Sequence, residues 1–442
     1  MDISRRSFLG ASAAVVAGTM VRGAAFGANA KIGVCCIGIN GRGGSHIKAF
    51  SESEASEVVA LCDVDKKVLE KAGAALAEKT GKKPKLYVDM REAFADKSID
   101  AVSIATPNHW HSLATVWACQ AGKDVYVEKP MAHSFWEGQQ CVNAAKKFKR
   151  IVQHGTQQRS DPKRIRDMQL LHEGKLIGPV VHARGYVYKN GNRVDIGKGK
   201  PGKAPESLDY NLWLGPAKER PWMAREGGDP GLPKDGGLFV HYNWHWFWDF
   251  GNGESGNQGV HEMDVAAWAA NKGLPVRVSS TGGRYKWKDD GETPNTQAMH
   301  FTYADGTMLT FEVRNLGSFP EGGDDDCANS AFGTDGYWVK GKGFFDYKRK
   351  PIPVPDSAAL PPSKGPFENF LAAVKSRKWE DIYGNPEEAF TSCAHIHLGN
   401  IAYRLQKSLV FDPAASKFKG DRKATKMLKD NYRKPFVVPE IA

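Results

Sequence analysis

The sequence lacks several patterns that would assign it to familiar classes of protein. It has no Cys-x-x-Cys pair, and its seven cysteines are an odd number, so buried free thiols are predicted rather than a disulfide framework. It has no Gly-x-Ser-x-Gly segment, which argues against acyl transfer by a serine hydrolase. No basic block with interleaved aromatic residues accounts for the net charge of +11, so a solvated surface is predicted and no nucleic-acid partner. After the first 30 residues, no apolar run approaches the length of a transmembrane helix.

The N-terminal segment carries the three parts of an export signal. Its charged start holds Arg5 and Arg6, and the mildly apolar stretch 8–20 follows. A small-x-small cleavage site ends the segment at Ala30. This order predicts a twin-arginine signal peptide over residues 1–30, with the Tat export machinery as a partner and a periplasmic or otherwise exported mature protein. The alternative is a cytoplasmic protein with a frayed N-terminus.

A buried strand, a glycine-rich turn, a helix and a second strand follow the signal. The apolar run "KIGVCCIGI" leads into "NGRGG", and Asp63 ends the second strand, 25 residues after Gly38. Such a turn lets the backbone approach a pyrophosphate, and the acidic residue accepts ribose hydroxyls. Asn40 interrupts the G-x-G-x-x-G pattern, but asparagine tolerates positive φ better than most residues. The predicted cofactor-binding residues here are Gly38, Asn40, Gly41, Arg42, Gly43 and Asp63.

The cofactor predicted from this pattern is NAD. The carboxylate of Asp63 would repel the 2′-phosphate of NADP, although Lys66 and Lys67 keep NADP open as the less favoured choice. The alternative is a glycine-rich turn that binds no ligand.

The rest of the chain predicts an α/β protein with two different sheets. Strands and helices alternate up to about residue 158, which indicates an N-terminal Rossmann domain, a doubly wound parallel sheet, over residues 31–158. Period-two strands then indicate a C-terminal α+β domain with an open, mostly antiparallel sheet over residues 159–360. A stretch near 190–235, rich in Gly, Pro and Lys, predicts a long insertion over that sheet. Amphipathic helices are predicted over residues 361–442.

Two motifs carry a resemblance to a known family. The segment "ATPNHWH", followed about twenty residues later by "VEKPMA", resembles the Gfo/Idh/MocA oxidoreductases, which include glucose–fructose oxidoreductase and inositol dehydrogenase. "LWLGPA" at 212–217 and "HLGNIAYRL" at 397–405 resemble the exported, twin-arginine subgroup, to which NAD-dependent glycoside hydrolases are related.

The resemblance implies further features of the fold and of the cofactor site. It implies that the second sheet forms one wall of the active site and often an oligomer face, so a homo-oligomer (dimer or tetramer) is expected. It also implies that the helices of 361–442 pack back on the Rossmann domain. The residues that it places near the nicotinamide end of the cofactor are Thr106, Pro107, Asn108, His109, His111, Glu128, Lys129, Pro130 and Gln157.

Catalytic residues are predicted in both domains. Lys129, in the E-K-P motif, would hold the substrate oxygen, whereas its alternative is a surface lysine. The family commonly has Asp-x-x-x-His in the second domain, and here Asn257 and His261 occupy that pattern. His261 would take the alcohol proton if it is not simply a packed helix histidine. Asn257 cannot accept a proton, and Asp264 is the nearby carboxylate that could orient His261.

The segment "HYNWHWFWDFGNG" is predicted to contact the substrate. Aromatic faces suit sugar rings, and His241, Asn243 and His245 would bind hydroxyl groups, with Lys129, Asn257 and His261 completing the substrate site. The alternative is a core or subunit-interface segment. The His-x-His pairs at 109/111 and 395/397 lack a carboxylate or cysteine at usual spacing, so no metal is predicted.

The leading hypothesis is an NAD-dependent oxidoreductase that acts on a sugar, polyol or glycoside with a tightly bound cofactor. Free NAD is not recycled outside the inner membrane, so an exported enzyme must return its cofactor to the starting redox state in each cycle. A redox-neutral glycoside hydrolase that works by oxidation, elimination, hydration and reduction is the first alternative. A non-catalytic NAD- or glycan-binding protein is the second, and a two-carboxylate glycosidase stays open although nothing locates its pair.

Overall fold

A computed structural model describes residues 30–189, 195–230, 237–317 and 327–442. The predicted signal peptide, apart from Ala30, lies outside the described residues, as does part of the predicted insertion. No helix in the described ranges is both long enough and apolar enough to span a bilayer. The seven cysteines are free thiols, and all but Cys327 are buried.

The first sheet has six parallel strands in the order β3-β2-β1-β4-β5-β6. The strands are β1 (Ile32–Ile37), β2 (Ser56–Cys62), β3 (Lys85–Tyr87), β4 (Ala101–Ile104), β5 (Asp124–Val127) and β6 (Val152–His154). The helices between them are α1 (Arg42–Glu52), α2 (Lys66–Thr80), α3 (Met90–Ala95), α4 (Asn108–Gln120) and α5 (Phe135–Lys147). The predicted doubly wound sheet is therefore confirmed. Its strand order reverses between β1 and β4, where such sheets bind ligands.

The second sheet has ten strands in the order β16-β15-β14-β13-β7-β12-β11-β10-β17-β18. Its neighbours pair antiparallel except β7 and β12, which are parallel, so the predicted mostly antiparallel sheet is also confirmed. A separate two-stranded ribbon pairs β8 with β9. The bounds are β7 (Val180–Tyr188), β8 (Lys198–Pro201), β9 (Met223–Glu226), β10 (Arg277–Gly283), β11 (Thr296–Thr302), β12 (Met308–Arg314), β13 (Cys327–Gly333), β14 (Gly336–Val339), β15 (Gly343–Asp346), β16 (Pro351–Ile352), β17 (Leu409–Asp412) and β18 (Lys417–Phe418).

The remaining helices cover the second sheet and join it to the first domain. They are α6 (Pro162–Glu173), α7 (Tyr210–Leu214), α8 (Gly253–Gly256), α9 (Gly259–Ala270), α10 (Pro366–Ser376), α11 (Pro386–Leu405) and α12 (Arg422–Lys426), with short 3-10 turns at Gln157–Ser160, Asn243–Trp246 and Trp379–Asp381. The long helix α11 begins with a capping box between Asn385 and Glu388. It packs against α5 of the first domain and against α9 and β10 of the second. Residues 361–442 also supply β17 and β18, so that stretch is not purely helical.

The largest apolar cluster runs through both domains, and smaller clusters lie beside it. The same cluster contains Val127 and Phe135 of the first domain and Met263 and Phe311 of the second. Helix α9 lies close on the second sheet because Gly185 has no side chain, and a Cβ there would lie 2.8 Å from the Glu262 carbonyl oxygen. The groove between the two domains is therefore fixed by shared packing.

The described part of the predicted insertion is anchored differently from the expectation. Its backbone pairs with the end of β2, where Lys66 N–H donates to the Ser207 carbonyl at 2.8 Å and Asp209 N–H donates to the Val64 carbonyl at 2.9 Å. On its other side, Ile196 N–H donates to Asp289, in the β10–β11 loop, at 2.9 Å. The insertion therefore lies on the nucleotide domain as well as on the second domain, and it covers the end of the first sheet.

Candidate active site

A cavity of about 570 Å³ lies at the carboxyl ends of the first sheet's strands, between the two domains. The first domain contributes the turn after β1 and the ends of β2, β4 and β5. The second domain contributes the α8–α9 junction and the aromatic segment 241–245. The predicted site residues that line the cavity are Gly38, Asn40, Gly41, Arg42, Asp63, Thr106, Pro107, Asn108, His111, Glu128, Lys129, Gln157, His241, His245, Asn257 and His261.

The glycine turn has the geometry that a nucleotide phosphate requires. Gly38 has a φ of 75°, and a Cβ there would lie 2.7 Å from the Thr106 backbone nitrogen. Gly41 has a φ of 78°, whereas Asn40 is not in the left-handed region, so the residue that interrupts the fingerprint is not at a strained position. Helix α1 starts after Gly41 without a side-chain cap. Its amide groups therefore fit an anionic phosphate.

Gly43 supports the turn from behind and does not line the cavity. A Cβ at this position would lie 2.0 Å from the Gly38 carbonyl oxygen, so only glycine lets the first turn of α1 pack against the end of β1. The prediction that it contacts the cofactor is replaced by a packing role, the one that the third glycine of the fingerprint has.

Asp63 closes the turn from the end of β2. Its Oδ2 accepts the Ile39 N–H at 2.9 Å and its Oδ1 accepts the Asp65 N–H at 3.0 Å. Burial raises the pKa of this carboxyl, and the two backbone N–H groups oppose that effect. Each oxygen keeps a second lone pair, so Asp63 can still accept ribose hydroxyls.

Glu128 forms hydrogen bonds with residues on both sides of the proposed cofactor site. Its Oε1 accepts from Arg42 Nε at 2.8 Å and lies 3.0 Å from His46 Nε2, and Gln157 Nε2 donates to it at 3.4 Å. Burial alone would raise the pKa of Glu128, but the hydrogen bond and charge of His46, together with Arg42 and Lys129, lower it below its usual range. The ionised Glu128 therefore holds Arg42 over the glycine turn.

Lys129 reaches across to the second domain. Its Nζ donates to the Asn257 carbonyl oxygen at 2.7 Å and lies 3.4 Å from Asn257 Oδ1. Burial lowers the pKa of Lys129 more than the negative charges of Glu128 and Glu254 raise it, so the net direction is downward. An ammonium group is thus fixed in the cavity wall where both domains meet.

His261 lies on α9 and faces the same cavity. Burial and the charge of Lys129 lower its pKa to about 3, so the imidazole is neutral at ordinary pH. Asn257 lies in the junction between α8 and α9. The two residues of the Asp-x-x-x-His pattern therefore do not share one continuous helix, although both line the cavity.

Asp264 does not orient His261 as expected. It is fully buried, and its carboxylate accepts from Arg159 Nε at 3.0 and 2.9 Å and from Ser392 Oγ at 2.5 Å. Arg159 also pairs with Glu388 of α11 at 2.9 Å. Asp264 therefore joins α9 to α11 below the cavity, because the buried guanidinium takes its carboxylate.

The aromatic segment is divided between cavity and core. His241, Tyr242, Trp244 and His245 line the cavity, whereas Trp246 is fully buried. The rings of Trp244 and His245 stack with centroids 3.6 Å apart. Burial lowers the pKa of His245 to about 3, and its Nδ1 donates to the Tyr242 carbonyl at 2.6 Å. Both the substrate interpretation and the core alternative thus describe part of the segment.

Three further predicted residues do not line the cavity. His109 is buried with its Nε2 3.0 Å from the Trp213 carbonyl, because it packs α4 against the insertion. Pro130 presents its carbonyl oxygen to His111 Nδ1 at 2.6 Å. Asn243 is buried within its 3-10 turn. Each of them supports a neighbouring segment from behind.

His111 lies in the wall between two carbonyl groups, to one of which its single N–H can donate. Its Nδ1 lies 2.6 Å from the Pro130 oxygen and its Nε2 lies 2.7 Å from the Thr106 oxygen. Burial lowers the pKa of His111 more than these two carbonyls raise it. The ring therefore ties the loop after β4 to the loop after β5, which are the two loops that carry the quoted motifs.

Several wall residues were missed by the sequence reasoning. Tyr242 and Trp244 belong to the quoted aromatic segment, and Gln258 lies next to Asn257, so adjacency could have indicated them. Trp110 and Trp213 lie inside the motifs "ATPNHWH" and "LWLGPA", so their motifs could have indicated them as well. The other apolar wall residues and the two buried polar residues behind the wall carry no local signal. Those residues are Ile37, Cys62, Val64, Val88, Met90, Ala105, His46 and Glu254.

No group of three or more His, Cys, Asp or Glu side chains in the described ranges is arranged to hold a metal ion. The second His-x-His pair illustrates why. His395 Nε2 lies 2.8 Å from the Tyr303 hydroxyl and its Nδ1 lies 2.8 Å from the Thr391 carbonyl, so both ring nitrogens have protein partners.

Two models of one protein family match the chain. The GFO_IDH_MocA model, described as an oxidoreductase family with an NAD-binding Rossmann fold, matches residues 31–156. Its partner, described as the oxidoreductase family C-terminal alpha/beta domain, matches residues 163–438. The two matches cover both domains around the cavity.

Curated relatives and solved structures give more distant likenesses. The alpha-N-acetylgalactosaminidase of Shewanella oneidensis and the glycosyl hydrolase family 109 protein 1 of Shewanella sp. strain ANA-3 are each 30% identical over 172 residues, 33% of this chain. That alignment spans only 38% of either relative's length. The WlbA dehydrogenase from Bordetella pertussis, solved with NADH and UDP-GlcNAcA, has a TM-score of 0.63 at 18% identity, covering 86% of this chain and 98% of that one. The aldose-aldose oxidoreductase from Caulobacter crescentus has a TM-score of 0.58 at 17% identity, covering 86% of this chain and 100% of that one. At such identities these structures are alike in fold alone.

Proposed function

The chain belongs to the Gfo/Idh/MocA oxidoreductase family, and we propose that it oxidises a hydroxyl group of a sugar or polyol with an NAD that stays bound between turnovers. The observation that carries this proposal is the position of Lys129. Its ammonium group lies in one cavity with the glycine turn and with His261, on the opposite domain. The proposed cofactor site and the proposed acid–base pair would thus share one cavity.

The cofactor side of the cavity fits NAD. The amide groups at the start of α1 and the turn at Gly38 and Gly41 would hold the pyrophosphate, and Asp63 would accept the adenosine ribose hydroxyls. Asp63 disfavours a 2′-phosphate, which supports NAD over NADP. When bound, NAD supplies a hydride acceptor, which is the redox chemistry that no side chain here provides.

Side chains of the protein would bind the substrate oxygen and accept its proton. Lys129 would donate a hydrogen bond to that oxygen and stabilise the negative charge that develops on it. His261 is neutral, so one of its two ring nitrogens carries no proton and could accept one from the hydroxyl. Asn257 holds Lys129 from the second domain and does not itself accept a proton.

A carbohydrate substrate is supported by the wall and by the relatives. Tyr242 and Trp244 offer aromatic faces, and His241 and His245 offer ring nitrogens, within the same cavity. The WlbA structure contains UDP-GlcNAcA, and another neighbour is an aldose-aldose oxidoreductase. These likenesses support a sugar or polyol without specifying which one.

A redox-neutral glycoside hydrolase is the second candidate. It is favoured by the curated relatives, which are glycosyl hydrolase family 109 proteins and an alpha-N-acetylgalactosaminidase. Such an enzyme would oxidise a ring hydroxyl, acidify the neighbouring C–H, eliminate the glycosidic group, add water and reduce the ring again. Lys129 and His261 would serve its oxidation and reduction in the same way.

Export by the twin-arginine route is part of the proposal and rests on residues 1–30 alone. Fractionation of cells that produce the full chain tests it. The native protein is expected in the periplasm, and the variant Arg5→Lys/Arg6→Lys is expected to stay in the cytoplasm. Equal export of the native protein and the variant would contradict the proposed twin-arginine route.

A homo-oligomer is also proposed, formed through the outer face of the second sheet. Val181 of β7 and Met308 of β12 are 44% and 48% exposed on neighbouring strands. Light scattering on the purified protein should give twice or four times the chain mass. A single-chain mass would contradict this point.

The decisive experiment combines cofactor analysis with a substrate panel. Mass spectrometry of the small molecule released on denaturing the purified protein should find NAD, and no released dinucleotide would contradict the retained cofactor. A sugar panel then reports oxidation, and nitrophenyl glycosides report cleavage. Nitrophenol release without net NADH selects the hydrolase, whereas sugar oxidation selects the oxidoreductase.

A further inference from the structure

A buried carboxylate stands behind Lys129, outside the cavity. Glu254, in α8, is 2% exposed, and its Oε2 accepts a hydrogen bond from Asn257 Nδ2 at 3.3 Å. On its other side, Asn257 receives the Lys129 ammonium through its carbonyl and side-chain oxygens, at 2.7 and 3.4 Å. Glu254, Asn257 and Lys129 therefore form a row that runs from the protein interior to the cavity.

The two neighbours determine how the Asn257 amide is oriented. An asparagine side chain has one acceptor and two donors. With its nitrogen towards Glu254 and its oxygen towards Lys129, both contacts are favourable. The reverse orientation would place oxygen against a carboxylate and N–H groups against an ammonium. Glu254 thus determines that the side-chain oxygen of Asn257, and not its nitrogen, points towards Lys129.

Glu128 and Glu254 are the two carboxylates that raise the pKa of Lys129, with Glu128 the stronger of the two, and Glu254 also faces Lys189. Glu128 is nearer in sequence, but it is already engaged by Arg42 and His46. Glu254 Oε1 is buried and finds no hydrogen-bond partner in the part of the chain that the structure describes. The titratable groups around Lys129 are Glu128, Glu254, Arg42, Lys189, His111, His154, His245 and His261.

The position of Glu254 is set by a rigid framework. Asn252 lies two residues before Glu254. It accepts a hydrogen bond from Asn108 Nδ2 at 3.1 Å and donates one to the His133 carbonyl at 3.0 Å. Asn400 of α11 donates to the Asn252 carbonyl at 3.2 Å. Helix α8 is therefore tied to the loop after β4, on the wall that carries Asn108, and cannot move independently of the cofactor side.

We propose that Glu254 is a positioning residue that supplies Lys129, through the Asn257 amide, with the negative charge that an aspartate at position 257 would give directly. The consequence for turnover rests on the proposed function of Lys129. The electrostatic consequence for Lys129 itself is independent of any substrate, so the two can be tested separately.

The test measures the titration of Lys129 in the purified full chain. Acetic anhydride is applied at a series of pH values, and mass spectrometry compares Lys129 acetylation with that of the exposed Lys417 as internal reference. In Glu254→Gln, the half-labelling pH of Lys129 should fall by about one unit, because a buried compensating charge is lost. Glu262→Gln is the matched control. It removes another 2%-exposed carboxylate, one bonded to Lys340 at 2.8 Å, and should leave Lys129 unchanged.

The double variant Glu254→Gln/Asn257→Asp provides the rescue. Carboxylate and amide exchange places, so the hydrogen bond between the two positions survives with its direction reversed and the charge now contacts Lys129. The half-labelling pH should return to the native value or above it. An unchanged Lys129 in Glu254→Gln, or a double variant that stays about one unit low, overturns the proposal. If Glu254→Gln does not fold, the double variant alone decides by the same criterion.

The sugar and glycoside panel is run on the same variants. With turnover in the native protein, the alkaline limb of its pH profile should move with the labelling value in Glu254→Gln and return in the double variant. With no turnover on any substrate, the proposed function fails while a labelling shift still supports the role of Glu254.

Discussion

The two halves of the cavity are built by different means. The cofactor half is centred on a backbone turn, at Gly38 and Gly43, which is packed so closely that a single methyl group would collide. The substrate half is made of side chains, with Lys129, Asn257 and His261 held by hydrogen bonds and charge. The first half should therefore respond to changes of shape. The second should respond to changes of charge while the fold persists.

The largest effect is expected from Gly43→Ala in the cofactor half. The new Cβ would lie 2.0 Å from the Gly38 carbonyl oxygen, so β1 and α1 must move apart. We expect a loss of about 1–3 kcal/mol of stability, as for other overpacked sites, together with complete loss of bound dinucleotide. Thermal unfolding and mass analysis of the released cofactor measure both.

Gly44→Ala is the matched control for that substitution. A Cβ at the next position finds nothing within 4 Å and has an ordinary helical backbone. It should keep the cofactor and gain up to about 1 kcal/mol of stability, because alanine favours a helix. Equal cofactor loss in both variants would show that the turn is not limited by shape.

Lys129→Ala should impair the substrate half of the cavity and leave cofactor binding intact. It removes the ammonium group from the substrate half but leaves Gly38 and Asp63 untouched, so the dinucleotide should stay bound. Turnover should fall by about a hundred- to ten-thousand-fold, the range of an acid–base group. Lys417→Ala, at an exposed position on β18, is the control and should keep full turnover. Unchanged turnover in Lys129→Ala would remove this residue from the site.

The difference between the halves also explains how much of the site was predictable. The glycine turn, Asp63 and the loops around Asn108 and Lys129 each stand at the end of a strand within a short motif. Because parallel strands end at one edge, these motifs converge without knowledge of the second domain. The six-stranded sheet and the cofactor side followed from that rule.

The substrate half depends on contacts between distant parts of the chain. Lys129 and Asn257 are 128 residues apart, and nothing local in either segment indicates the hydrogen bond. Asp264 has the spacing of a partner for His261, yet the buried Arg159, 105 positions away, takes its carboxylate. Pattern reasoning identified several of the right residue types here but could not assign their partners, because those depend on how the two domains pack.

The pH dependence of stability tests the substrate half, whose wall contains the two buried histidines His245 and His261. Five buried histidines have pKa values lowered to about 3, mainly by burial: His109, His154, His245, His261 and His397. Their folded pKa lies below the unfolded value of 6.5, so the unfolded chain takes up protons first as the pH falls. Their contribution is present above about pH 6.5 and lost below it, at up to about 1.4 kcal/mol per pH unit for each group.

The measurement is the thermal midpoint at pH 7.5 and 5.5 for the native protein and for His261→Gln. The native midpoint should drop on acidification, and the variant should drop less, because one of the five groups no longer titrates. The contribution of His133 to stability depends on pH in the opposite direction. Burial lowers its pKa but Asp430 outweighs that and raises it to about 9, so its contribution is present below pH 6.5 and lost as the pH rises through 9. An equal drop in native protein and variant would mean that His261 is not buried as neutral imidazole.

The smallest effect is expected from Trp244→Phe in the substrate wall. Phenylalanine keeps the stack on His245 but loses the indole N–H that donates to the His241 carbonyl at 3.0 Å. That hydrogen bond lies within the protein, so its loss should lower stability by about 1 kcal/mol. The smaller ring in the cavity wall should also raise KM, with kcat unchanged. Trp246→Phe is the control from the same segment, because Trp246 is fully buried in the core. It should lower the thermal midpoint and leave KM alone. A raised KM in Trp246→Phe together with an unchanged KM in Trp244→Phe would contradict this assignment of the substrate wall, since only Trp244 of the two lines the cavity.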